Sequence, residues 1–251
     1  MKKRKTYSIN VKQINAYAGR QQLLFNIKFK VPTGKVCAFI GHNGAGKTTT
    51  VKTMLALRPL NIRSKANIRL LCSDFKDYRC RKNIGYIPEK GNNEHITARD
   101  FLRYIGYFYG LTNAESDKKM EKIIHFFKLP KNRLKVKMNK LSSGQNKIIT
   151  ICQAFMGKPK LIVADEPTDN LDPETRDMFW RFVKQYHKDH PKTTFFLITH
   201  NLDEIEKYTN YIVVINHGRM VYEGNYDRSP GLRQKYAKMR DAFEAKHRNL
   251  W

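Results

Sequence analysis

A chain of 251 residues with 41% hydrophobic content is long enough for one large domain, or for a core with a smaller lobe. Its apolar runs are strand-sized, none near the ~18–20 residues that a membrane span needs. Its four cysteines, Cys37, Cys72, Cys80 and Cys152, form no C-x-x-C pair, so neither a disulfide framework nor a zinc site is expected. The formal charge of +26 exceeds what a small anionic ligand requires. It leaves open an anionic membrane surface, nucleic acid, or a solvated lysine-rich exterior. The basic start Lys2-Lys3-Arg4-Lys5 is not followed by an apolar core, so no signal peptide is expected, and a reducing, cytoplasmic setting is.

In chain order, residues 7–11 and 24–31 alternate apolar and polar side chains and predict half-exposed strands. Pro32-Thr33-Gly34 predicts a turn before the run Val36-Cys37-Ala38-Phe39-Ile40, a buried strand in which Cys37 is a small core residue. Residues 67–71 predict a third strand of the outer sheet. Residues 97–110 predict a helix capped by Thr97, with Phe101, Tyr104, Ile105 and Phe108 as a core stripe. A second helix is predicted over 113–127, burying Met120, Ile123, Ile124 and Phe127. Residues 161–164 and 194–198 are continuous apolar runs, suited to strands buried on both faces. With a helix over 173–189 between them they predict a right-handed βαβ unit. Residues 211–215 and 219–222 predict a hairpin around His217-Gly218. Leu232, Tyr236, Met239 and Phe243 predict a short amphipathic helix near the end.

The strand at 36–40 runs into Gly41-His42-Asn43-Gly44-Ala45-Gly46-Lys47-Thr48-Thr49, followed by helix-compatible residues. Strand, glycine loop and helix in that order make a phosphate-binding loop. The glycines let successive N–H groups turn toward an anion, and the helix presents its positive end to the same place. Lys47 supplies a mobile ammonium for the β- and γ-phosphates. Thr48 offers a hydroxyl to Mg²⁺, a cation that prefers oxygen ligands. Further on, the apolar strand at 161–164 ends in Asp165-Glu166. Carboxylates at the C-terminal end of a parallel strand sit at the ligand edge of a sheet. Asp165 is a candidate Mg²⁺ ligand and Glu166 a candidate base for a water attacking the γ-phosphate.

Leu141-Ser142-Ser143-Gly144-Gln145 precedes that strand, and Thr199-His200 closes the run at 194–198. Phosphate loop, this pentapeptide, acidic strand and histidine, in that order, resemble the ABC ATPase family over nearly the whole chain, from about residue 7 to 224. The resemblance implies an α/β P-loop NTPase core with a mainly parallel sheet, an N-terminal antiparallel β lobe and an inserted helical lobe. It implies an ATPase domain over residues 1–228, with the helical lobe at about 92–157. A basic amphipathic helix over 229–251 follows. It implies ATP and Mg²⁺ as ligands. Tyr17 then matches the aromatic that stacks on adenine, Glu89 the position of the Q-loop glutamine near Mg²⁺, and His200 the histidine at the γ-phosphate. Ser142, Gly144 and Gln145 match the signature that closes over a nucleotide held by a second subunit. Three positions depart from the family pattern: Glu89 for glutamine, Ser143 for the first signature glycine, and Asp169 where serine is commoner.

The resemblance implies a homo- or heterodimeric ATPase serving separate transmembrane subunits, peripheral at the cytoplasmic face of the membrane. The Gly85-Tyr86-Ile87-Pro88-Glu89 form is similar to the ABC-2-type exporter branch. The alternative is an ABC-type ATPase acting on ribosomes or nucleic acid, which the basic charge would suit.

Overall fold

A computed structural model describes residues 6–59, 61–92, 94–228 and 231–246. The basic start Lys2-Lys3-Arg4-Lys5 and the end of the C-terminal basic cluster, Arg248 included, lie outside the described residues. The chain opens with β1 (Tyr7–Ala18), β2 (Gln21–Pro32), β3 (Val36–Ile40), α1 (Lys47–Met54), β4 (Lys65–Leu70), β5 (Ser73–Asp74) and α2 (Tyr78–Arg81). It continues with β6 (Ile84–Ile87), α3 (Ala98–Phe108), α4 (Asn113–Phe126), two 3-10 turns, α5 (Ser143–Phe155), β7 (Leu161–Asp165) and α6 (Pro173–Asp189). The last elements are β8 (Thr194–Ile198), α7 (Leu202–Tyr208), β9 (Tyr211–Asn216), β10 (Arg219–Asn225) and α8 (Leu232–Lys246). These residues form two compact units, Met1–Cys80 with Thr194–Trp251, and Arg81–Thr193.

The first unit holds an antiparallel sheet in the order β2-β1-β4-β5. Its buried face is the alternating set Ile9, Val11, Ile14 and Ala16 on β1 with Leu24, Ile27, Phe29 and Val31 on β2. The sequence pattern predicts a strand only to residue 11, yet β1 runs to Ala18. Register shifts against β2 between Val11 and Ile14, and again between Ile14 and Ala16, explain the difference. Each bulge resets which face a side chain takes, so strict alternation stops while pairing continues. The second layer of this unit has β3 running parallel to both β8 and β9, with β10 antiparallel to β9. All residues of β3, β8 and β9 are buried, as continuous apolar runs predict. Phe29 on the outer sheet lies flat against Phe196 of β8, 5.8 Å between ring centres, and Phe39 of β3 completes the cluster.

In the second unit β6 pairs parallel to β7, with helices α3, α4, α5 and α6 around them. Thr112 and Glu115 form a reciprocal capping box on α4, and Asp172 caps α6 by accepting from the Thr175 N–H. Met120, Ile123, Ile124 and Phe127 are buried as expected. The stripe on α3 is corrected: Phe101 is buried and Ile105 half-buried, but Tyr104 and Phe108 are 58% and 56% exposed, and Tyr107 beside them is 75% exposed. Helical spacing alone cannot say which side of an aromatic helix meets the core, and here Leu102 and Gly106 turn inward instead. Two short elements, β6 and α7, are not legible as runs; four and seven residues are too few to establish a period. Among the described residues no helix is long and apolar enough to cross a membrane.

Candidate functional site

In the first unit the candidate residues gather at one sheet edge. Phe39 pairs with Ile198 and Ile40 with Val214 across parallel strands, so the loop after β3, the Thr199-His200 pair and the β9–β10 turn all leave the same end. That is the edge at which open α/β sheets hold ligands. Gly44 and Gly46 take φ of 82° and 99°, the left-handed region that lets the loop curl before α1. Gly46 caps α1 without any side-chain hydrogen bond, and no acidic side chain stands in the first turn. The helix thus opens with N–H groups that no side chain caps and with Lys47 as its first residue, which fits a bound phosphate. Lys47 Nζ donates to the carbonyls of Gly41 and His42, at 2.7 and 3.1 Å, so the ammonium lies folded over the loop. Asn43 is exposed, Ala45 is buried, and Thr48 and Thr49 are half-buried. His200 is exposed beside buried Thr199, whose hydroxyl accepts from the Asn201 N–H.

Tyr17 lies in β1 rather than in a loop. It is paired with Gln22, its hydroxyl donates to Gln22 Oε1 at 2.9 Å, and its N–H donates to Ser64. Arg58 reaches its carbonyl. The ring is therefore held in one orientation and half-exposed, the state a stacking platform needs.

The second unit carries the acidic half. Ile87 pairs with Ala164, so Pro88-Glu89 and Asp165-Glu166 leave the same ends of adjacent parallel strands. Asp165 is 2% exposed, Glu166 half-buried and Glu89 exposed. Burial, with the nearby charges of Asp165 and Glu89, pushes the Tyr86 hydroxyl up to about 12 and keeps it neutral. Ser142 caps α5: its hydroxyl accepts from the Gln145 N–H, and Gln145 Oε1 accepts from the Ser142 N–H. An accepting hydroxyl keeps its own proton to donate, so Ser142 remains able to contact an anion. Gly144 faces the chain at Asn170, where an added Cβ would lie 3.2 Å from the carbonyl oxygen.

Residues 24–169, more than half of the chain, match the family described as ABC transporter. The chain belongs to the ABC transporter family. A Nod factor export ATP-binding protein of Cupriavidus metallidurans is 28% identical over 223 residues, covering 87% of this chain and 71% of that protein. An ABC transporter ATP-binding protein of Mycoplasma pneumoniae is 32% identical over 206 residues, covering 82% of this chain. The chain spans 62% of that relative's length. The solved structure of an ATP-binding subunit of an ABC transporter superposes with a TM-score of 0.82 at 27% identity, covering 93% of this chain and 99% of the other. A dimeric cassette bound to ADP and Pi shares the fold, with a TM-score of 0.76 at 20% identity.

As an ABC ATPase, this chain binds ATP. Two contributors to its candidate site are missed by motif reading. One is Lys147, buried in α5, which an isolated lysine before an apolar run does not announce. The other is the β9–β10 turn. Gly218 donates its N–H to the Ala45 carbonyl and accepts from the Phe25 N–H, while the His217 ring packs 4.6 Å from that of His42. The turn thereby braces the phosphate loop of the ABC cassette against β2. Gly218 has φ 68°, and a Cβ there would fall 2.1 Å from the Leu23 carbonyl oxygen. Gly218→Ala is expected to cost about 2–3 kcal/mol through strain and clash. For a chain of this size that lowers the melting temperature by roughly 5–10 °C. ATP affinity is expected to fall with it. Calorimetry and nucleotide titration check both; an unchanged variant would mean that the turn does not support the loop.

Proposed function

We propose that this chain is the ATP-hydrolysing subunit of an ABC exporter, acting as a dimer with separate transmembrane subunits at the cytoplasmic face of the membrane. The observation that carries the reading is the start of α1: a helix end with no side-chain cap, behind a left-handed glycine loop, with Lys47 lying on that loop's carbonyls. The N–H groups of residues 43–49 and the Lys47 ammonium hold the phosphates of ATP. Tyr17 stacks on the base, at a gain of ~1–3 kcal/mol. Glu166 orients the hydrolytic water and takes its proton, and His200 contacts the γ-phosphate. Thr48 from the first unit and Glu89 and Asp165 from the second would supply oxygen donors for Mg²⁺. This set of hydroxyl and carboxylate groups suits that ion, which would neutralise charge developing on the phosphates. Ser142 and Gly144 serve the nucleotide of the second subunit, so that ATP favours the closed dimer and hydrolysis releases it. The ATPase domain covers residues 1–228 with a helical lobe at about 92–157, and the C-terminal segment that follows, of which α8 (Leu232–Lys246) is described, is an appendage to it.

The exporter reading is supported by the family, by the Nod factor export relative and by the exposed aromatic residues Tyr104, Tyr107 and Phe108 of α3. Exposed aromatics of this kind suit contact with another protein. A second reading is favoured by the charge of +26: an ABC-type ATPase working on ribosomes or nucleic acid. A tagged copy of the chain, captured from its own membranes at physiological salt with nuclease present, separates the two. Recovery of an integral membrane protein is the expected result. Recovery of ribosomes or DNA-bound partners without one would overturn the exporter reading.

A further inference from the structure

Lys147 is 2% exposed in the first turns of α5, among buried Asn146, Ile148, Ile149 and Thr150. An ammonium in such surroundings is expensive unless every donor is engaged. Here its Nζ donates to three backbone carbonyls: Pro88 at 3.1 Å, Glu89 at 2.7 Å and Glu166 at 3.1 Å. Lysine has three N–H donors, so the set is complete. The three acceptors come from two loops, the one after β6 and the one after β7. These are the loops that carry the candidate water-orienting and metal-binding carboxylates.

Glu166 itself has φ 45°, in the left-handed region that a residue with a long side chain rarely occupies. Such a conformation persists only where the surroundings over-determine it. Its carbonyl is held from two sides, by Lys147 Nζ and by the Asp169 N–H at 3.3 Å. Burial pushes the Lys147 ammonium below the usual lysine range. The charges of Asp169, Asp165, Glu89 and Glu166, in decreasing order, act to keep it protonated. Asp169, where the family more often has serine, is thus a counter-charge to a buried lysine.

We propose that Lys147 is a positioning residue for hydrolysis: it ties the Glu89 and Glu166 backbones together and holds Glu166 in the left-handed conformation that sets the direction of its carboxylate. The inference rests on the reading of Glu166 as the residue that orients the water. Lys147 acts through these backbones, since its three N–H donors are spent on protein carbonyls. Its removal frees the backbone at Glu166 to relax, and misplacement of a reacting group by about 1 Å can cost on the order of 100-fold in rate. The phosphate loop belongs to the other unit, and Lys47 Nζ donates to that loop's own carbonyls.

The test uses the full chain with Lys147→Met, which keeps the length of the side chain without its donors, and Lys147→Gln, which keeps one donor group. Glu166→Gln is run alongside. Steady-state kcat and KM are measured together with equilibrium binding of a fluorescent ATP analogue. For Lys147→Met, kcat is expected to fall about 10- to 100-fold, with KM and nucleotide affinity within about twofold of wild type. Lys147→Gln is expected to lie between the two. Loss of kcat and of nucleotide affinity together in both variants would mark Lys147 as a support of the whole fold and overturn the proposal. Wild-type turnover in Lys147→Met beside an inert Glu166→Gln would overturn the Lys147 inference alone. Wild-type turnover in Glu166→Gln would remove the reading on which it rests.

Discussion

Glu166→Gln leaves ATP binding intact and lowers steady-state hydrolysis by about 10²- to 10⁴-fold, the share that a positioned general base contributes. The amide has nearly the shape of the carboxylate, so the end of β7 and the left-handed backbone at 166 are kept. It cannot take a proton from water, and it removes one negative charge from the acidic half of the site. The nucleotide-binding groups of residues 41–49 stand on β3 and α1 and are untouched. A second consequence follows from the proposed cycle: when hydrolysis is what opens the dimer, this variant accumulates as an ATP-dependent dimer. Phosphate release, nucleotide titration and size-exclusion chromatography with and without ATP check the three parts. Near-normal hydrolysis would remove Glu166 from the mechanism, and a monomer in saturating ATP would remove the dimer-release step.

Lys47→Ala weakens ATP binding itself by about 10- to 100-fold. A charge-assisted hydrogen bond to phosphate contributes ~1.5–3 kcal/mol, and each 1.4 kcal/mol is tenfold in affinity. The geometry favours a large loss, because Nζ already lies over the loop at the Gly41 and His42 carbonyls. Little reorganisation is needed when an anion arrives. Wild-type affinity in this variant would mean that the loop does not hold the phosphates. The same variant tests the dimer. Gly144→Asp puts a carboxylate where a Cβ already approaches the Asn170 carbonyl oxygen, and sets negative charge in the signature. Each variant alone is expected to be inactive. Mixed, they form one intact composite site per heterodimer and recover part of the wild-type rate. Absence of recovery in demonstrated heterodimers would argue against a site shared between subunits.

The features that the sequence determined by itself are local ones. The phosphate loop is a contiguous run, its glycines are required by its own backbone, and the strand before it is apolar throughout; all of this is written within about fifteen residues. The same holds for the capped start of α3, where the Thr97 hydroxyl accepts from the Asp100 N–H. It holds for the buried strands β3, β7 and β8, whose uninterrupted apolar runs leave no polar face. The order of such segments along the chain was enough to bring the family into view.

What only the tertiary structure decided involves partners far apart in the chain. Lys147 looks like a solvated lysine until the carbonyls of residues 88, 89 and 166 are seen to converge on it. The alternation over residues 7–11 stops short of Tyr17, and only bulged pairing carries β1 past residue 11 and sets the Tyr17 hydroxyl on Gln22. Gly218 is a turn glycine until its N–H is found on the Ala45 carbonyl. On α3 the helical period marks an apolar stripe but not the side of the helix that meets the core, and two of the stripe's rings, Tyr104 and Phe108, face outward. Side-chain spacing carries the period of an element, whereas burial and hydrogen-bond partnership are properties of whatever is packed against it. Those neighbours are set by the folding of the whole unit and not by the segment's own residues.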